Sequence, residues 1–151
     1  MSLVRSIANM PWTMEVDANT YKEGMVCKEG TAAKRLALVS AKGDTAIGII
    51  SESQIDPRTG SHEAAVAGDK RNYFPLGIKE VVHVYAASAG LTFTANCAIY
   101  LDDAVDGAVT TTAATSRPIG HYPRNYESTV TAAVGEKIAC YLDVEPGASL
   151  V

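Results

Sequence analysis

Nucleophilic catalysis requires a nucleophile within hydrogen-bond reach of a base, and the histidines this chain offers for that role are His62, His83 and His121. None stands in a nucleophile elbow or a triad motif. His83 falls inside an apolar run, the setting of a packed or interface histidine. His62 lies in a polar stretch and reads as solvated, and His121 begins a turn with Pro123. Asp102, Asp103 and Asp106, followed by Gly107, gather oxygens of the kind calcium wants. The group lacks the alternating spacing and terminal Glu of an EF-hand loop, and an Asp-rich hairpin turn accounts for it without a metal. Cys27, Cys97 and Cys140 are odd in number, far apart and without a CxxC pair. That argues against a disulfide framework or a zinc site, and predicts reduced, buried thiols. Gly43, Gly60, Gly90 and Gly107 stand in turn contexts, and no GxGxxG or GxxxxGK phrase is present to cradle a phosphate. These residues imply neither catalysis nor a cofactor.

Composition narrows the partners. The 151 residues are 47% hydrophobic and 20% charged, as in a globular protein of one domain. The formal net charge is -4, and the thirteen Lys and Arg residues are scattered singly or in pairs such as Lys34-Arg35 and Lys70-Arg71. Such a chain carries no basic footprint for nucleic acid. No apolar run has signal-peptide or membrane-helix length. The expectation is therefore a soluble protein made in the cytoplasm, with no membrane partner.

The elements that must position any site are strands. Residues 91–101 alternate with a period of two, placing Leu91, Phe93, Ala95, Cys97, Ile99 and Leu101 on one face. Residues 137–145 do the same with Ile138, Cys140, Leu142 and Val144. Shorter strands are predicted at 24–28, 35–40, 46–51, 78–87, 107–112 and 118–122, punctuated by Gly, Asp and Pro. This spacing describes a mainly β fold, a small β-barrel or β-sandwich. In 78–87 the apolar residues fall on both faces, which predicts a central strand or one covered by another subunit. Only 128–134 could form a turn or two of helix, and its Thr and Val content works against that.

Two segments fall outside this scheme. Residues 1–21 read as an extended N-terminal arm, with 22–151 as a single β domain. The arm carries Leu3, Val4, Ile7, Met10, Trp12 and Met14 around Pro11 and is too apolar to be free in water. Trp12 has two readings, completing its own core or anchoring in a partner's pocket. Residues 52–75 read as a polar loop excursion, longer than a compact domain keeps without a use. Its Ile55, Arg58, His62, Arg71, Tyr73 and Phe74 are the candidates for contact with a neighbouring subunit or a larger partner.

The phrase Thr45-Ala46-Ile47-Gly48-Ile49-Ile50-Ser51 resembles the early strand, closing on an IGI phrase after a small-residue turn, of the capsid cement or head decoration proteins of tailed bacterial and archaeal viruses. The stretch from Leu91 to the Tyr100-Leu101-Asp102-Asp103 phrase, the small-residue run 107–115, Pro118-Ile119-Gly120 and the closing 135–142 are also similar to that family. The resemblance covers roughly 24–50 and 78–145. The chain departs from the family pattern at its N-terminus, at 52–75 and at 122–134.

The resemblance implies a β-tulip-like barrel and a non-enzymatic virion protein on the outer capsid surface. Such a protein would clamp neighbouring major capsid protein subunits, commonly as a homotrimer. The arm residues would bind the shell by adding a strand to a capsid sheet edge, and 52–75 would meet a neighbouring copy or the capsid. Two rivals share the strand pattern. One is a head fibre base or tail-associated binding domain, and the other is a small β-barrel enzyme using Asp102, Asp103 or His83.

Overall fold

The computed structural model describes residues 11–32, 34–41, 43–77, 79–112, 118–123 and 129–143. Among them every regular element is a strand. Five strands, β1 (Trp12–Val16), β2 (Val26–Glu29), β3 (Arg35–Leu38), β4 (Gly48–Ile50) and β5 (Lys70–Pro75), close into a barrel in the order β1-β3-β2-β4-β5. The β1–β3 pairing is parallel, and the other four are antiparallel. The next strands are β6 (Val81–Tyr85), β7 (Thr92–Thr94), β8 (Ala98–Leu101), β9 (Val109–Thr110), β10 (Gly120–His121), β11 (Thr129–Thr131) and β12 (Lys137–Leu142). They make a five-stranded sheet in the order β6-β12-β10-β8-β9 and a two-stranded pair, β11 with β7. The protein is thus a mainly β fold built on a small barrel.

The side-chain period of two explains why the barrel and the sheet hold together. Val16, Leu36, Leu38, Cys27, Ile50 and Tyr73 point into the barrel and form one core with Tyr21. The alternate residues Val26 and Ile49 point out of the wall and join a second core with Val84, Phe93, Ile99, Leu101, Ile138 and Leu142. Gly48, Ile49 and Ile50 are all buried because that wall is covered on both faces. Each fully buried Ile, Leu or Phe contributes roughly 1.5–3 kcal/mol. Backbone bonds clasp the two units: Tyr85 N–H donates to the Gly24 carbonyl (3.0 Å) and Val26 N–H to the Gly107 carbonyl (2.7 Å). Gly107 N–H in turn donates to Val39 (2.6 Å), with Gly107 at φ 74, where a side chain would be strained and would also press on Met25.

Several boundaries differ from the sequence expectation. The run 91–101 is two strands, because the chain turns at Ala95 and Asn96, with Cys97 N–H bonded to the Thr94 carbonyl (2.9 Å) and Asn96 at φ 63. Asn tolerates this left-handed conformation. The turn keeps the phase, so Phe93, Ile99 and Leu101 still share one core. The stretch considered for helix contains β11, whose Thr-Val-Thr is β-branched throughout and pairs with β7. The expected central strand, β6, lies at the edge of its sheet. Val84 and Tyr85 are both buried because Val84 enters one core and Tyr85 the other, so the cover comes from the same chain.

The two irregular segments are also partly barrel. Residues 12–16 of the expected arm form β1, registered to β5 by Trp12↔Tyr73, Thr13↔Asn72, Met14↔Arg71 and Glu15↔Lys70. Tyr21, at the end of that segment, is 1% exposed, its hydroxyl donating to the Asp17 carbonyl at 2.7 Å. The excursion ends at residue 69, and Lys70–Pro75 is a strand whose Arg71 and Tyr73 face inward.

Candidate functional site

The candidate binding residues divide into five groups. Leu3, Val4, Ile7 and Met10 lie outside the described residues. Trp12 and Met14 belong to β1, Met14 half-buried against the barrel core and Trp12 at the rim, 60% exposed. The Trp12 ring meets Tyr73 edge-on, with centroids 6.4 Å apart at 78°. Beside it the Thr13 hydroxyl donates to Asn72 Oδ1 (2.7 Å), and Asn72 Nδ2 donates to Glu52 Oε1 (2.6 Å). The strand therefore presents the indole from a fixed base.

Ile55, Arg58 and His62 come together at the tip of the excursion. Ile55 and His62 form an antiparallel bridge around a turn closed by Asp56 N–H to Ser61 (2.9 Å) and Gly60 N–H to Asp56 (2.8 Å). All three are exposed. Asn19 and Ala65 exchange backbone bonds of 3.1 and 2.8 Å and tie the base of the excursion to the barrel. Arg71 and Tyr73 are not with them. Both side chains are buried inside the barrel, which corrects their assignment as surface contacts: strand parity turns them inward, while Lys70 and Asn72 face out.

Phe74 faces the opposite way from Tyr73 and lines a cleft of about 220 Å3 between the barrel wall and the edge of β6. Ile49, Val81, Val82 and His83 line it too, and the Lys137 Nζ to Glu23 Oε2 ion pair (3.3 Å) stands at the same cleft. Tyr85 N–H already points out to Gly24, so alternation along an antiparallel edge directs the backbone groups of Val81 and His83 toward the cleft as well.

The groups considered for chemistry are dispersed. His83 is exposed on β6, and Asp102 is used in a turn, its Oδ2 accepting from the N–H of Ala104 (2.9 Å) and Val105 (2.6 Å). Among the described residues no group of three or more His, Cys, Asp or Glu side chains is placed to hold a metal ion. One pair was not foreseen from sequence: His121 Nδ1 lies 2.6 Å from Asp143 Oδ2, with the imidazole 5.1 Å from the Tyr141 ring. The β10–β12 register brings these residues together across 22 positions, and no local signal encodes it. Cys27 and Cys140 are buried, and burial pushes both thiols well above their ordinary range, with Asp143 and Cys97 adding to the effect at Cys140. Cys97 is only partly buried, against the expectation of three buried thiols.

Among the described residues no helix is long and apolar enough to cross a membrane. No protein-family model matches the chain, and no curated protein matches it. Trp12 is exposed on a paired strand, and the cleft combines the apolar Ile49, Phe74, Val81 and Val82 with the polar Glu23, Glu80, His83 and Lys137.

Proposed function

We propose that this protein is a non-enzymatic structural component of a virus particle, a head decoration or capsid cement protein. It binds the outer surface of the assembled shell and clamps neighbouring major capsid protein subunits, as a homotrimer. The observation that carries the reading is Trp12, held on β1 with 60% of its surface exposed where the apolar segment Leu3, Val4, Ile7 and Met10 joins the barrel. Tryptophan in such a position is the residue type that most often dominates an interface. A second support is where the family-like phrases fall. Residues 91–103, 107–115, 118–120 and 135–142 include β8, β9, β10 and β12, four neighbours of one sheet, while 45–51 adds β4 of the barrel and 91–103 also holds β7 of the two-stranded pair. Many copies of a modest clip, each bridging adjacent shell subunits, add up to a lattice-wide restraint.

The test is co-sedimentation of the purified chain with shells of the major capsid protein from the same genome, before and after expansion, with bound copies counted. Saturation near one copy per capsid subunit, with greater heat resistance of the shells, is the expected result. Trp12→Ala should weaken that binding at least tenfold while leaving the circular dichroism spectrum unchanged. Saturation at a few copies per shell would instead identify a vertex or tail protein, and no binding to either shell form would remove the reading.

A further inference from the structure

Arg71 is a charged side chain with no carboxylate paired to it among the described residues. It is 7% exposed, inside the barrel, and its Nη1 donates to the Lys70 carbonyl at 2.8 Å. Its Nε is completely buried and has no hydrogen-bond partner. Among the described residues no carboxylate pairs with it, and the acidic groups nearest in the chain and the ladder are engaged elsewhere. Asp17 Oδ2 accepts from the Thr31 N–H (2.8 Å) and hydroxyl (3.1 Å). Glu52 Oε1 accepts from Asn72, and Glu15 shares the outward parity of its partner Lys70. The titratable groups of the surrounding core are the phenols of Tyr21, Tyr73 and Tyr85 and the Cys27 thiol; burial pushes Tyr21, Tyr73 and Cys27 up, and the Arg71 charge opposes that at Tyr21.

A buried guanidinium keeps its charge at every pH a folded protein meets, so it cannot escape the cost of burial by losing a proton. Buried charges persist when they are paired, and an unsatisfied buried donor marks an absent water or ion. The guanidinium is a planar fork suited to two oxygens of one anion. We propose that Arg71 is the receptor of an internal oxyanion site, which takes a small carboxylate or phosphate ion from solution against its Nε edge. With Arg71 only 7% exposed, a small ion meets less steric hindrance there than a carboxylate side chain carried on a folded partner. This site does not rest on the shell-binding reading, because Arg71 is 7% exposed whereas Trp12 stands 60% exposed at the rim.

The experiment is thermal unfolding of the full chain in sodium phosphate, sodium acetate and sodium chloride at one ionic strength. A ligand that binds only the folded state raises the melting temperature with concentration, and the rise follows its occupancy. Phosphate or acetate should give a dose-dependent rise that chloride does not. Arg71→Met should abolish the rise and, in chloride, melt no lower than the natural chain, since it replaces an unpaired charge by an apolar side chain of similar length. Arg71→Lys keeps the charge but not the fork and covers the case in which the Met variant fails to fold; its half-saturating concentration should be at least tenfold higher. Equal melting in all three salts would overturn the proposal. So would an undiminished response in the folded variants, which would place the anions elsewhere.

Discussion

Cutting the chain at two places separates the barrel from what precedes it. A chain starting at Pro11 keeps β1, and with it the closed ring. A chain starting at Asp17 loses the four registered pairs with β5 and the two with β3. By antiparallel alternation and the slanted parallel pattern, these pairs represent about five ladder hydrogen bonds, each worth about 1 kcal/mol net. Val16, fully buried, adds roughly 2 kcal/mol. A loss of about 7 kcal/mol is comparable to the whole stability of a domain, about 5–15 kcal/mol. The chain from Asp17 should therefore be unfolded or aggregated at 25 °C. The chain from Pro11, which keeps every registered pair of β1, should unfold in urea in one cooperative transition. Far-ultraviolet circular dichroism against urea, with gel filtration to detect aggregates, measures both. If the chain from Asp17 gives a cooperative transition at the same midpoint as the chain from Pro11, β1 is dispensable and the account of barrel closure is wrong.

Further outcomes follow from single contacts. Gly120 sits between β8 and β12, and a Cβ there would overlap the Tyr141 carbonyl oxygen and lie 3.0 Å from Cys140 Sγ. Gly120→Ala should cost about 3 kcal/mol in chemical denaturation, and a loss below about 1 kcal/mol would contradict the close approach. Native-state titration with a thiol reagent should label Cys97 first, with Cys27 and Cys140 reacting only as the protein unfolds. Equal labelling rates would refute the burial pattern. At Asp44 burial opposes ionisation, but the Lys28 ammonium at 2.8 Å and the N–H groups of Ser40 and Ala41 outweigh it and hold the carboxyl below its ordinary 3.8. The stabilisation from this clip is present above that ordinary value and is lost as pH falls through the lower folded one. Asp44→Asn should thus lower stability by up to about 1 kcal/mol at neutral pH, and the difference from the natural chain should shrink as both are acidified.

Much of the fold was legible because burial on one face of a strand leaves a period of two. Ile138, Cys140 and Leu142 show it, and all three are core residues. Short strands such as Gly48–Ile50 were also legible, since a run buried on both faces is continuously apolar. The arm and the excursion were misjudged at their inner ends for a common reason. Arg71 and Pro75 in β5, and the exposed Trp12 and Thr13 in β1, break the apolar signature, yet both strands are fixed by pairing across the chain rather than by composition. The turn at Asn96 was hidden because it preserves phase. Trp12 stood out by residue type with two readings open, and its 60% exposure shows that it does not complete the barrel core. The cleft was not legible, since Ile49, Phe74 and Val82 meet only after the barrel and sheet have docked.

The β1–β5 seam also bears on how the chain reaches its native state. Thr13 must find Asn72, 59 residues away, and neither strand has its final neighbour until that loop closes. Pairing of this range is slow, and the waiting edges are open to any complementary strand. A second molecule offers the same strand with the same register. Refolding from urea at high concentration should therefore yield dimers in which each β1 closes the other copy's barrel, with dilute refolding yielding monomers. During synthesis β1 leaves the ribosome well before β5, so the same exchange competes wherever neighbouring ribosomes translate one message.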